Sequence, residues 1–297
     1  GMLRASGRLG VLRLLAALLR RLWPDLAVAF LIAALTVPLG PALSRKLTPD
    51  LVLPLLGIVA SVLIGFRSTQ AYARWWEART LWGQLRNACR AWKTGLLALA
   101  VKPLQPMLER QVLLVWTLAA ELRPAIPCPA ELALQLGQLR QRFPGESSTQ
   151  ALLDAQAHAV ARAYQAGVLE PTGRGLLSEL LRDGVNAIGG LERIQGQPVP
   201  AAVTWFSRLV VWLFAWLMFL RLEAEPLTPA LGNGVAFALM AGYITAERLA
   251  TYLDQPLRDP LLGLPQHHIC AAISRDLLGP DHPLAQRPQP VSATVWT

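Results

Sequence analysis

Phe66-Arg67-Ser68-Thr69-Gln70-Ala71-Tyr72-Ala73-Arg74-Trp75-Trp76-Glu77-Ala78-Arg79-Thr80-Leu81-Trp82-Gly83 continues, with no helix breaker at the junction, out of the apolar run that begins at Leu51. Helical spacing is therefore expected to carry from lipid into water along one element. Arginines and tryptophans at this density are uncomfortable in bulk water, because the rings and the aliphatic stems of the arginines seek apolar cover. Three of the chain's ten tryptophans fall in this block, which marks it as a packing and assembly element rather than a solvated face.

Composition sets the class around that helix. The 297 residues are 53% hydrophobic and only 16% charged, with a positive mean hydropathy, values that a soluble domain rarely shows. A bilayer crossing needs about 20 residues of helix, and only a few runs reach that length. The expectation is an all-α membrane protein with a large part of the chain in water. A net charge of +9 raises the question of nucleic acid, but no zinc-finger spacing, aromatic sheet motif or polybasic tail accompanies it. Retention of arginines beside the membrane accounts for the charge, and no nucleic-acid partner is expected. Cys89, Cys128 and Cys270 are odd in number and far apart, which argues for a reducing compartment and against a disulfide framework.

Four spans are expected, at residues 26–43, 51–66, 201–222 and 227–249. The stretch before the first, from Leu3 to Trp23, reads as an amphipathic helix; its arginines are too evenly spread for a cleavable signal. Residues 67–199 are too often charged for lipid, and read as a cytosolic helical region with helices near 67–100, 104–122, 130–142, 149–166 and 175–194. Residues 250–297 form a C-terminal cytosolic segment, with a loose tail from Gln286. The whole chain, 1–297, reads as one unit. Lysines and arginines gather before the first span and between the second and third, so both termini and the large region are expected on the cytoplasmic side of an inner or plasma membrane.

The second span carries the sharpest pattern. Ile58, Val62 and Phe66 fall at i, i+4 and i+8 on one ridge, with Gly57, Ser61 and Gly65 on a parallel ridge one residue earlier. A small-residue seam beside a bulky row suits packing of copies about an axis, with the bulky row inward as a hydrophobic constriction. Spacing alone equally allows a lipid-facing or core stripe. Arg208 in the third span is either functional or a residue that reaches back to the interface. His267, His268 and Cys270 lie close together but lack a distant partner for a metal, and no hydrolase, protease, P-loop or dinucleotide motif is present. Neither an enzyme nor a cofactor is expected.

Gly65-Phe66-Arg67, Arg74-Trp75-Trp76-Glu77-Ala78-Arg79 and Leu81-Trp82-Gly83 resemble the signature of the bestrophin family, and Gly189-Gly190-Leu191-Glu192-Arg193-Ile194 with Pro198 and Pro200 is similar to the segment that precedes the third span in its bacterial members. The resemblance implies a homopentameric channel for monovalent ions, chloride by the family's name, with cation selectivity open. Counted back from Arg74-Trp75-Trp76, it assigns the pore neck to Phe66, Val62 and Ile58. It also implies a cytosolic aperture at Leu176 or Leu177, both of which serve equally well as ordinary packing residues. Arg74, Trp75, Trp76, Glu77 and Trp82 become assembly residues. Animal members have an acidic calcium clasp after the fourth span; Asp254-Gln255-Pro256-Leu257-Arg258-Asp259 offers too few carboxylates for that ion's roughly six to eight oxygen ligands. The rival reading from another class is a non-conducting membrane scaffold.

Overall fold

The computed structural model describes residues 2–3, 7–47, 49–223, 229–288 and 295–296. Its contacts group into two compact units, one of residues 5–75 and 198–254 and the other of 1–4, 76–197 and 255–297.

The first unit is a bundle of apolar helices. Helix α1 (Gly7–Thr36) runs through Pro24 without a break, so the arginine-bearing N-terminal stretch and the expected first span are one helix rather than two. The span was expected to run to residue 43; instead α1 ends at Thr36 and a 3-10 turn (Val37–Leu39) leads into α2 (Gly40–Leu47), with Pro38 in the first turn where its missing N–H costs nothing. Helix α3 (Val52–Ala98) contributes its first 24 residues here, with Pro54 in its first turn. Helices α8 (Ala201–Glu223) and α9 (Pro229–Leu253) complete the bundle, α9 packing against both α8 and α1. Ala29, Ala33, Ala215 and Ala236 are buried among Phe219, Leu220, Met240 and Ile244. Small side chains let these backbones approach closely, as helices in lipid require where no hydrophobic drive separates them from the solvent.

Among the described residues, Leu15–Leu39, Val52–Ala98 and Ala201–Leu222 are long and apolar enough to cross a membrane. Helix α9, the expected fourth span, has the length at 25 residues but is not among them. Residues 227 and 228 of that span lie outside the described residues.

The second unit is built on α4 (Leu104–Leu122), which is buried continuously from Met107 to Ala119. Helices α5 (Ala130–Gln141), α6 (Thr149–Gln165), α7 (Pro171–Gly196) and α10 (Gln266–Leu278) pack on it. Even Glu109 and Arg110 are enclosed, each held by an opposite charge: Arg142 at 2.7 Å and Glu146 at 2.8 Å. The continuation of α3 offers Ala78, Trp82, Leu85, Cys89, Trp92 and Leu96, all buried at alternating three- and four-residue steps, which is the stripe of a core-facing helix.

Helix α7 begins at Pro171 rather than near Gly175, because proline is well suited to the first turn of a helix. Helix α10 was not expected. It is only 13 residues long and closes at Gly279, whose φ of 99° needs glycine. The tail expected to be loose from Gln286 is tied at its end: β2 (Val295–Trp296) pairs antiparallel with β1 (Met2–Leu3). Residues 289–294 of it lie outside the described residues. Burial pushes the Cys89 thiol up to about 12 and the Cys128 thiol to about 11, so both stay protonated and unreactive.

Candidate functional site

Arg67 decides which way the second span faces. Its side chain is 3% exposed, with Nη1 donating to Glu247 Oε1 at 3.0 Å and Nη2 to Asp254 Oδ2 at 2.8 Å and Thr251 Oγ1 at 3.4 Å. Glu247, itself 1% exposed, also faces Arg208 at 3.6 Å. A guanidinium carries five donors in a rigid fork and so can hold two acids of one helix end at once. Just past α9, burial pushes the Asp254 carboxyl up from its ordinary range, against the pull of Arg67. Arg208, left between function and retreat to the interface by the sequence, lies over the Trp205 ring at 5.3 Å and shares Glu247. Nearby, Arg248 donates to Asp25, which clamps α9 to α1.

With Arg67, Ala60 and Ala71 turned into the bundle, Ile58, Val62 and Phe66 point the other way. They are 62%, 63% and 59% exposed, as one continuous apolar row with no polar side chain on its ridge. Exposure rules out the core-stripe reading for this chain by itself.

The small-residue ridge divides in two. A Cβ at Gly57 would stand 2.9 Å from the Phe214 ring, and that ring is fixed edge-on against Tyr243 at 4.9 Å. Gly57 is therefore spent on packing α3 against α8 within the chain, not on a seam between copies. Ser61 and Gly65 are exposed and line an open groove with Leu239, Gly242 and Ala246, about 420 Å3 in volume, and nothing lies within 4 Å of a Cβ placed at Gly65. Of the three positions of that ridge, Ser61 and Gly65 are the ones that face open space.

In the second unit the two sequence motifs meet. Arg193 donates to Glu77, and at Gly190 a Cβ would stand 2.6 Å from Leu81 Cδ2, so α7 lies so close to α3 that a larger residue at 190 would force the Leu81 side chain to move. Trp82 is fully buried in the core stripe of α3, whereas Trp76 is exposed. In the first unit Trp75 stacks on Tyr72 at 6.3 Å, and Arg74 is partly buried. Leu177 is fully buried and Leu176 is 42% exposed, so of the pair only Leu176 has a free face.

The two carboxylates after α9 are engaged. Asp254 is bound to Arg67, and Asp259 Oδ1 accepts from the backbone N–H groups of Leu261 and Leu262 at 2.9 and 2.8 Å. This turn admits only glycine at 263, where a Cβ would lie 2.3 Å from the Asp259 carbonyl oxygen. His267 stacks on Trp116 at 5.8 Å and Cys270 is enclosed, its sulfur facing the Val115 carbonyl, so each has a packing role. Arg67 and Asp254 were missed from sequence as anchors. The signal was there: an arginine immediately after an apolar run, and acids seven residues, about two helical turns, apart at 247 and 254.

Residues 7–278 match the model of the family described as Bacterial/Fungal Bestrophin protein. The chain is 32% identical over 231 residues to the voltage-dependent anion channel-forming protein RSc3414 of Ralstonia nicotianae, a match that covers 68% of this chain and 67% of that one. It is 29% identical over 232 residues to the voltage-dependent anion channel-forming protein YneE of Escherichia coli K12, covering 75% and 74%. The crystal structure of a bacterial bestrophin homologue from Klebsiella pneumoniae superposes with a TM-score of 0.72 at 25% identity, over 89% of this chain and 98% of that one.

Proposed function

The chain belongs to the bacterial and fungal bestrophin family, and from that premise we propose that it is a passive channel for monovalent anions, built as a homopentamer in a bacterial inner membrane. The observation that carries the proposal is the outward row Ile58, Val62 and Phe66, held in that direction by a buried arginine on the opposite side of α3. Copies arranged about an axis with these rows inward form stacked apolar rings. Such rings gate by controlling whether water fills the path, since they offer an ion nothing in exchange for its hydration.

Anion selectivity is inferred from the relatives' description as anion channel-forming proteins; the uncharged rings carry no sign of their own. The concentration of arginines before the first span and between the second and third supports a topology with both termini in the cytoplasm, in which α9 is the fourth span. On the cytosolic side, Leu176 on α7 is the aperture residue, its neighbour Leu177 being committed to the core. With Asp254 and Asp259 engaged by Arg67 and by backbone amides, conduction is independent of calcium.

The test is reversal potential in a salt gradient, measured on purified protein in planar bilayers. A reversal potential near the chloride equilibrium value supports the proposal. One near the cation value rejects anion selectivity, and the absence of current from an intact oligomer rejects the channel.

A further inference from the structure

Within the second unit, α3 and α10 border a half-open cavity of about 530 Å3 whose wall carries four guanidinium groups. Arg79, Arg86 and Arg90 come from one face of α3, at i, i+7 and i+11, and Arg287 reaches it from beyond α10. Against these four cations stands one carboxylate: Asp276 takes a two-pronged bond from Arg86, at 2.7 and 3.2 Å, and lies 3.9 Å from Arg90. Arg79 and Arg287 form no ion pair among the described residues and are exposed. Lys93 holds the last carbonyls of α10, at Asp276 and Leu277, so the acid that faces the arginines is fixed in place.

Two further observations point to a ligand. Trp82 forms part of the wall while fully buried, and its indole N–H has no hydrogen-bond partner among the described residues, although a buried donor is ordinarily satisfied. Gly83 faces open space, with nothing within 4 Å of a Cβ placed there, so a position in the middle of a packed helix leaves the cavity unfilled. Ile269 and Ala272 give the α10 side an apolar surface.

We infer that this cavity binds a small phosphate-bearing anion with at least two phosphoryl groups, gripped by Arg79, Arg90 and Arg287. Guanidinium is the side chain whose planar fork matches phosphate oxygens in pairs, and several of them with one counter-charge between them favour a multivalent anion over chloride. Arg86 serves the fold through Asp276 and orients the wall. The inference is independent of the conduction pathway and does not rest on it.

Inorganic pyrophosphate is the probe, titrated by calorimetry into the detergent-solubilised full chain at low and at physiological salt. The expected result is saturable binding of one pyrophosphate per chain that survives excess chloride. Arg79→Gln and Arg90→Gln should each weaken it by about tenfold or more, the loss of one charge-assisted contact. Gly83→Leu, which fills the cavity from open space, should abolish it while leaving the melting temperature near that of the parent. Arg162→Gln, on α6 away from the cavity, should leave the affinity unchanged. Equal affinity in Arg79→Gln, Arg90→Gln and Gly83→Leu overturns the inference, as does loss of binding in 0.1 M chloride. Failure of the parent to bind, together with dissociation of the oligomer in the Arg79→Gln/Arg90→Gln variant, would show that a second copy occupies the cavity and also overturns it.

Discussion

Replacing Glu247 by alanine tests how the second span is held. The parent places Arg67 and Glu247 at 3.0 Å with side chains 3% and 1% exposed, so neither charge can recover hydration if its partner leaves. Removing one member of such a buried pair costs about 3–5 kcal/mol, most of it the desolvation of the charge left behind. Here Asp254 still contacts Arg67 at 2.8 Å, and Arg208, 19% exposed, can turn to water. The cost should therefore lie at the lower end, about 3 kcal/mol, or a fall of roughly 6–12 °C in melting temperature for a domain of this size. Glu247→Gln keeps an acceptor for Arg67 and should lose only about 1 kcal/mol. The double variant Arg67→Met/Glu247→Leu removes both charges and should recover most of the loss, because an apolar pair of similar volume is about as stable as a buried ion pair. The assay is thermal unfolding in detergent, followed by single-channel recording of each variant. Because Arg67 follows Phe66 directly and fixes the rotation of α3, Glu247→Ala should also change conductance. A single variant that melts within about 2 °C of the parent, or a double variant as unstable as the single, would refute the reasoning.

Replacing Ile58, Val62 and Phe66 together by alanine should raise conductance with the oligomer intact on size-exclusion chromatography; unaltered conductance and open probability would reject the neck. Gly57→Leu should lower the stability of the chain itself by more than the 1–3 kcal/mol typical of an overpacked site, whereas Gly65→Leu should leave the isolated fold stable and disrupt assembly, as read by native mass spectrometry. Burial lowers His267 from its usual range to about 4, so stability is full above pH 6.5 and falls by about 3 kcal/mol as pH drops toward 4. His267→Phe, which keeps the ring against Trp116, should remove that fall in a series of thermal melts across pH. Conductance should not change when calcium is removed with a chelator.

Much of this architecture was legible before any coordinates. Residues 104–122 and 149–166 read as helices and are helices, because breakers bound them sharply: Pro103 before α4, Ser148 capping α6 by accepting from the Ala151 N–H at 3.1 Å. The boundary read between the Leu3–Trp23 helix and the span at 26–43 is absent, because Pro24 lies inside a helix that continues through it. Helix α10 was hidden because its stripe of Cys270, Ile273, Ser274 and Leu277 is too short for periodicity to stand out; it is fixed by packing on α4 and on the 3-10 turn at Pro283–Ala285.

The ridge on α3 shows where periodicity stops being informative. Spacing established that Ile58, Val62 and Phe66 share a face, but every face of a helix in lipid is apolar, so hydrophobicity cannot tell the pore from the membrane or the core. The discriminating residue is the charged one. Arg67 must find acids, and in the first unit Glu247 near the end of α9 and Asp254 just past it supply them. Once the arginine is committed to that side, the rotation of the whole helix follows at 100° per residue. Gly57 is carried against Phe214, which a larger side chain there would not permit, and the bulky row is carried outward. A polar anchor thus orients an apolar surface that carries no directional information of its own, which is why Glu247, rather than any residue of the row, is the position where a single substitution should disturb fold and conduction together.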